Sequence, residues 1–146
     1  FQKVMLGVSG GIDSALTAAL ACETLGAAQV QGVMLPSPYT SRESMEDAHA
    51  LAERLGFALQ VLPITAGMHA LHQALSPLLP DNAPDIVAQN LQARLRGTLL
   101  MALSNASGAL LLTTGNKSEL AAGYATLYGD MCGGFNLLKD VYKTQV

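Results

Sequence analysis

The stretch VMLGVSGGIDS, residues 4–14, decides how the chain is expected to fold. Its apolar first half, residues 4–8, is typical of a central strand in a parallel sheet, which is covered on both faces. A helical pattern follows over residues 15–25, and two glycines, residues 10–11, stand between the two patterns. The stretch therefore predicts a strand that ends in a tight glycine turn and leads directly into a helix.

A strand-to-helix junction of this kind suits a phosphate group. Backbone N–H groups at a helix start point at one spot and carry partial positive charge, and glycines allow a close approach. Ser9 and Ser14 add hydroxyl donors, and Asp13 offers a carboxylate where Mg²⁺ would be held beside phosphates. The simpler alternative is a plain turn with Asp13 as helix cap, but the full Ser-Gly-Gly-x-Asp-Ser pattern favours nucleotide binding.

Composition indicates a single α/β domain. The chain has 146 residues, of which 50% are hydrophobic and 13% charged, enough to bury a core. A net charge of −3 with only eight Lys and Arg gives no reason to expect a nucleic-acid partner.

Cys22 and Cys132 lack metal-ligand spacing and predict no disulfide framework, which fits a cytoplasmic setting. We expect no signal peptide, since Phe1 almost adjoins a strand, and no membrane span, since polar residues interrupt residues 99–112.

The remaining chain alternates strands and helices. Further strands are predicted over residues 30–35, 58–64 and 109–113, and helices over residues 42–55, 65–75 and 84–104, with another short helix at the turn over residues 114–119. Short connections between them make the fold class α/β, with an open, right-handed parallel sheet flanked by helices. The first helix is expected to bury Leu16, Ala19, Leu20 and Cys22.

A second place where a strand meets a helix start lies at residues 114–119. In open α/β sheets ligands bind at the carboxyl edges of strands. Asp13 and Glu119 are therefore expected to meet in a shared metal–nucleotide site. The glycine-rich segment over residues 123–135 is expected either to be mobile or to wrap closely around a ligand.

Two pairs of polar residues on helices are open to more than one interpretation. Asn90 and Arg94 lie beside the apolar stripe of the long helix, and they predict equally a surface pair or a face turned to a ligand or partner helix. Gly97, which has no side chain, favours the second interpretation, a face turned to a ligand or a partner helix. His69 and His72 are compatible with a metal pair, but no nearby acid or thiol completes a site, which favours ordinary histidines. The stripe itself comprises Ile86, Val87, Leu91, Leu95, Leu99, Ala102 and Leu103.

Several motifs resemble one known group of enzymes. Residues 9–14 resemble the PP-loop of the N-type ATP pyrophosphatases, which split ATP into AMP and pyrophosphate. The motifs that resemble the NAD synthetase family are TTGNKSE at 113–119, GYATLYGD at 123–130 and KDVYKT at 139–144, and those similar to its glutamine-dependent branch are LPSPYTS at 35–41 and NLQARLR at 90–96. Ammonia-only members carry a lysine where Leu127 stands and an aspartate near Gly134, which also favours the glutamine branch.

The resemblance implies a place in a larger enzyme. Residues 1–146 would be the ammonia-ligase domain, a fragment lacking the family's C-terminal part and the nitrilase-like glutaminase domain that precedes it in that branch. The implied fold is the Rossmann-like adenine nucleotide alpha hydrolase fold. Family members form dimers through helices near the substrate site, so the helix over residues 84–104 is the expected interface.

The implied reaction is ATP-dependent amidation of deamido-NAD to NAD through an adenylate, with ammonia derived from glutamine and release of AMP and pyrophosphate. By resemblance, ATP would be bound by Gly7, Val8, Ser9, Gly10, Gly11, Ile12, Asp13, Ser14, Thr114 and Lys143. Deamido-NAD would be bound by Asn90, Arg94, Glu119 and Asp130, and Mg²⁺ by the catalytic pair Asp13 and Glu119.

Two rival functions remain beside this one. Another PP-loop amidotransferase, such as a GMP synthetase, would share the fold and differ in substrate. A nucleotide-binding module without catalysis is the alternative from a different class. Asp13 and Glu119 argue against that module, because ATP binding alone requires neither metal carboxylate.

Overall fold

The computed structural model describes residues 1–146 and contains one sheet of five parallel strands in the order β3-β2-β1-β4-β5. The elements are β1 (Val4–Gly7), α1 (Ile12–Leu25), β2 (Val30–Met34), α2 (Arg42–Leu55), β3 (Ala58–Val61), α3 (Thr65–Leu75), α4 (Asp85–Ser107), β4 (Leu110–Thr113), α5 (Lys117–Ala122) and β5 (Phe135–Asn136). The predicted open parallel sheet flanked by helices is confirmed. No helix is both long enough and apolar enough to cross a membrane.

β1 is the central strand, and its side chains alternate between two cores. Val4, Met5 and Leu6 are each at most 6% exposed, as expected for a strand with helices on both faces. Val4 and Leu6 pack with alanines of α1 and α2, whereas Met5 belongs to a second core bordered by α3 and α4. The sheet is therefore buried on both sides, which leaves its carboxyl edge as the place where polar side chains gather.

The buried face of α1 differs from the predicted one. Ser14, Thr17, Ala18 and Ala21 are buried, whereas Leu20 is 38% exposed. Contacts with the preceding loop accompany this rotation, because the Ser9 N–H donates to the Ser14 hydroxyl at 3.3 Å and the two hydroxyl oxygens lie 3.2 Å apart. Small side chains at the following helical positions then let α1 lie close to the sheet.

α4 also departs from its predicted pattern, because it is longer and its stripe is incompletely covered. The helix ends at Ser107 rather than at residue 104, and both Ile86 and Ala102 are exposed. Gly97 is buried, and a Cβ atom there would lie 2.8 Å from the Gly129 carbonyl oxygen. Its small size thus serves a contact within the chain, between α4 and the glycine-rich segment.

The strand β5 was not predicted. It has only two residues within the glycine-rich segment, too short for an apolar pattern, and Phe135 pairs in register with Leu112 of β4. Gly133 precedes it in a left-handed conformation, where a Cβ atom would lie 2.2 Å from the Thr113 hydroxyl oxygen. The segment therefore packs tightly against β4.

Gly10 offers a test of how tightly the first turn is packed. Gly10 and Gly108 both have positive φ, 80° and 68°, but a Cβ atom on Gly10 would lie 2.4 Å from the Ser44 carbonyl oxygen, whereas Gly108 has open space around it. We expect Gly108→Ala to cost roughly 1–2 kcal/mol for the left-handed backbone alone. Gly10→Ala should cost clearly more, because the backbone of α2 must also move. Melting temperatures of the two variants in the intact protein measure the difference, and equal losses would contradict the clash.

Candidate active site

The first part of the site is the turn between β1 and α1. The Ser9 and Ser14 hydroxyl oxygens lie 3.2 Å apart, and the Ser9 backbone N–H donates to the Ser14 hydroxyl at 3.3 Å. The Gly11 N–H donates to the Ser9 hydroxyl at 3.1 Å, and Gly11 is the N-cap of α1 without a side-chain cap. The turn thus fixes two hydroxyls at a helix N-terminus, an arrangement suited to phosphate oxygens.

The second part is the turn between β4 and α5, which Asn116 organises. Asn116 is fully buried and caps α5: its side-chain oxygen accepts from the Glu119 N–H at 3.0 Å, and a Glu119 carboxylate oxygen accepts from the Asn116 N–H at 3.1 Å. The Asn116 amide also donates to the Asp13 carboxylate at 3.3 Å. The two predicted carboxylates are therefore brought to one place through a residue that sequence reasoning missed.

Asn116 carries a signal that could have been recognised. Asn followed three residues later by Glu before a helix is a capping-box pattern, which predicts the reciprocal bonds within α5. Nothing local predicts the bond to Asp13, because it joins elements 103 residues apart.

A lysine already supplies positive charge to Asp13. The Lys143 ammonium pairs with the second carboxylate oxygen of Asp13. Two contacts hold the end of the chain on α5: the Lys143 N–H donates to the Ser118 hydroxyl at 3.0 Å, and the Lys117 N–H to the Val141 carbonyl at 2.9 Å. The Asp13 carboxylate therefore faces a cation in this structure, as a metal ligand would.

A cavity of about 450 Å³ joins the two turns. Of the predicted site residues, it is lined by Ser9, Asp13, Ser14, Thr114, Glu119 and Asp130, and it is also lined by Tyr124 and Lys139, which were not predicted. The other predicted ATP ligands, Gly7, Val8, Gly10, Gly11, Ile12 and Lys143, lie outside its lining. No group of three or more His, Cys, Asp or Glu side chains converges anywhere in the chain, so a cation at Asp13 and Glu119 would need further oxygens from water or from a bound ligand.

A second cavity of about 900 Å³ adjoins the first, and Tyr124, Ala125 and Asp130 line both. Asn90 lines the second cavity, and its side-chain oxygen accepts from the Thr126 hydroxyl at 3.0 Å. The Asp130 carboxylate accepts from the Thr126 N–H at 2.7 Å. These contacts place the glycine-rich segment at the junction of the two cavities.

Arg94 and the histidine pair lie at the edge of this region. Arg94 lines neither cavity, and its Nε donates to the Leu127 carbonyl at 3.2 Å. His69 and His72 both line the second cavity. Arg96, which was not singled out, donates to the Leu35 carbonyl at 3.0 Å, and burial lowers its pKa.

Comparisons with known proteins identify the family of the chain. The family model described as NAD synthase matches residues 1–146. The chain belongs to the NAD synthase family. Glutamine-dependent NAD(+) synthetases of Thermotoga maritima and Rhodobacter capsulatus are each 57% identical to it over its full length. The chain spans only 25% and 26% of those relatives' own lengths.

Solved structures support the same family and its fold. The glutamine-dependent NAD⁺ synthetase from Acinetobacter baumannii in complex with ADP has a TM-score of 0.97 and 55% identity, covering 99% of this chain and 27% of that one. The NH3-dependent NAD synthetase from Campylobacter jejuni has a TM-score of 0.89 and 34% identity, covering 99% of this chain and 60% of that one. The predicted family and its PP-loop, Rossmann-like fold are confirmed.

Cys132 allows a test of the charge at the junction. Burial, and then the nearby Asp130 carboxylate, raise the pKa of the Cys132 thiol, whereas burial alone raises the pKa of Cys22. Because the thiolate is the reactive form, Asp130→Asn should speed alkylation of Cys132 by iodoacetamide near pH 8, by no more than a few-fold since burial is the larger cause. Mass spectrometry of the two peptides measures both rates. The alkylation rate of Cys22 should not change. If the rate at Cys132 does not change either, the Asp130 carboxylate does not influence the Cys132 thiol.

Proposed function

We propose that this chain is the part of a glutamine-dependent NAD synthetase that amidates deamido-NAD with ATP. The observation that carries the proposal is the convergence of Asp13 and Glu119, through Asn116, on the cavity that the Ser9 and Ser14 hydroxyls also line. Carboxylates beside a phosphate-binding helix start suit a nucleotide whose phosphates carry Mg²⁺. Membership of the NAD synthase family supports this choice over other PP-loop enzymes.

The reaction needs two displacements. An oxygen of the nicotinate carboxylate attacks the α-phosphorus of ATP, the bond to the bridging oxygen breaks, and pyrophosphate leaves with the electron pair. Ammonia then attacks the carboxyl carbon of the mixed anhydride, AMP leaves, and the nitrogen loses a proton to give the amide. Adenylation is required because an unactivated carboxylate is a poor acylating agent.

The chain's own residues serve the first displacement by stabilising negative charge on the departing pyrophosphate. Backbone N–H groups at the start of α1 would bind phosphate oxygens, with the Ser9 and Ser14 hydroxyls beside them and Thr114 at the adenosine. Asp13 and Glu119 would hold Mg²⁺, which neutralises phosphate charge when bound. The fit rests on the pairing of Asp13 with a cation, the Lys143 ammonium, which we expect to turn toward a phosphate when the nucleotide binds.

The second cavity is our candidate for deamido-NAD. Its volume is about twice that of the first cavity, about 900 Å³ against about 450 Å³. Asp130 lines both cavities. A large ligand there could present a carboxylate at the junction, next to the α-phosphate. Asn90 lies in its wall, and Arg94 lies one helical turn further along α4. Glu119 and Asp130 are the proposed contacts near the junction.

The proposal extends to the whole protein. Since the chain spans about a quarter of its curated relatives, we infer that a C-terminal part and a glutaminase domain accompany it in the full-length enzyme. We also propose a cytoplasmic homodimer that packs through α4, whose exposed Ile86 and Met101 support a contact. The acidic net charge of −3 supports the absence of a nucleic-acid partner, and we propose no membrane partner.

The decisive assay uses the full-length protein with ATP, Mg²⁺, deamido-NAD and either ammonium or glutamine. We expect NAD, AMP and pyrophosphate to form. Asp13→Asn should reduce turnover at least a hundredfold, because the metal and Lys143 lose their carboxylate. Glu46→Gln is the matched control, since it removes an exposed carboxylate that also pairs with a cation, Arg42, and should leave turnover unchanged.

The same assay separates the rivals. Xanthosine monophosphate should trigger no AMP formation, whereas a GMP synthetase would respond to it and not to deamido-NAD. ATP binding without AMP formation in the presence of either nitrogen donor would favour the non-catalytic module. If the Asp13→Asn enzyme turns over at the wild-type rate, Asp13 does not belong to the metal site.

A further prediction concerns the second cavity. Asn90→Ala should raise the KM for deamido-NAD about five- to tenfold and leave the KM for ATP unchanged, because a donor to that substrate is lost. Thr126→Val is the control: it removes the hydroxyl that donates to Asn90 but leaves the Asn90 amide N–H groups in place. If both variants raise this KM equally, Asn90 acts by holding Thr126 rather than by binding the substrate.

A further inference from the structure

Asn116 uses every polar group of its side chain, and each end serves a different turn. The amide oxygen accepts from the Glu119 N–H at 3.0 Å within α5, and the amide nitrogen donates to Asp13 at 3.3 Å across the cavity edge. The residue is 0% exposed, so water cannot replace either bond. A buried amide with both ends satisfied is fixed in one orientation.

Capping α5 does not by itself require asparagine. A cap needs one acceptor oxygen, and Ser, Thr or Asp supply it about as well. Ser41 does this at α2, where its hydroxyl accepts from the Ser44 N–H at 3.1 Å. A hydroxyl accepts and donates through one oxygen, as Ser41 does toward Ser44. An amide accepts at one atom and donates from another, which lets Asn116 bond to the Glu119 N–H and to Asp13 at once.

The donor also decides which oxygen of Asp13 faces a cation. One carboxylate oxygen accepts from Asn116, and the other pairs with the Lys143 ammonium. Asn116 thus holds the carboxylate with its second oxygen presented to positive charge. Groups that orient a metal ligand through its other oxygen are a recurring part of metal sites.

We propose that Asn116 is a positioning residue that sets the relative orientation of Asp13 and Glu119 for Mg²⁺ bound with a nucleotide. The inference rests on the proposed function and adds a residue to it. Asn116 touches neither substrate nor metal in this role. It fixes Asp13 directly, and it fixes Glu119 by capping the turn of α5 that carries it.

The test is a binding measurement on the full-length protein with Mn²⁺ and the non-hydrolysable analogue α,β-methylene-ATP. Electron paramagnetic resonance of free Mn²⁺ gives the metal affinity without catalysis. Asn116→Ser keeps a cap oxygen but is too short for its hydroxyl to reach Asp13, and it should weaken nucleotide-dependent Mn²⁺ binding about tenfold or more. The metal-free affinity for the analogue should stay unchanged.

Two further variants guard against a merely structural effect. Ser104→Ala removes a buried hydrogen bond, from the Ser104 hydroxyl to the Ala109 carbonyl at 2.7 Å, before β4 and away from the strands' carboxyl ends. It should lower the melting temperature and leave Mn²⁺ affinity unchanged. Asn116→Thr keeps a hydroxyl acceptor for α5, adds no charge and is also too short to reach Asp13, so it should weaken Mn²⁺ binding even if the serine variant does not fold.

Coupling to Asp13 completes the test. In an Asp13→Asn background, adding Asn116→Ser should weaken Mn²⁺ binding no further, because the group through which Asn116 acts has gone. Wild-type affinity in both Asn116 variants, or a full additional loss in the double variant, would overturn the inference. A wild-type protein that makes NAD but binds no Mn²⁺ with the analogue would also overturn it, whereas a wild type that makes no NAD would overturn the proposed function.

Discussion

The pairing of β1 with β4 is the constraint on which the candidate site depends. The two strands run parallel with Leu6 opposite Leu112, so both leave the sheet at the same edge. Asp13 and Asn116, 103 residues apart in the chain, reach hydrogen-bond distance only because of this register. Apolar side chains buried on both faces fix the register, since a shift by one residue would turn every side chain to the other face. The core, rather than the polar contacts at the edge, determines where the site lies.

Charge at this edge is balanced within the chain. The Asp13 side chain is only 17% exposed, and a carboxylate so far removed from water is unfavourable without partners. The Asn116 amide and the Lys143 ammonium provide them, and Lys143 is held in reach because its backbone is bound to Ser118. The Lys143 side chain remains 49% exposed and can leave. Under the proposed function, one lysine therefore balances Asp13 before the nucleotide arrives and a phosphate afterwards.

Sequence reasoning predicted most of the fold because the strong signals are local. The apolar strands and the glycines between elements determine the parallel sheet, and the turn at residues 9–14 marks the edge of the sheet where the candidate site lies. It did not predict the buried face of α1, because Leu20 is more apolar than Ser14, whose hydroxyl bonds to Ser9 in the preceding loop. It missed β5 because a strand of two residues has no periodicity. It missed the role of Asn116 because its decisive partner is distant in the chain.

The segment over residues 123–134 reconciles the predicted substrate ligands with the contacts they make here. Asn90, Arg94 and Asp130 each bond to this segment, and such bonds would compete with substrate binding if they used the whole side chain. Each contact uses only part of the side chain's capacity. Asn90 accepts through its oxygen and keeps two N–H donors, Arg94 uses one of five donors, and Asp130 keeps a second oxygen. The segment therefore orients these groups while leaving them able to bind, and the close packing of Gly97 against Gly129 holds the segment in the position that makes this possible.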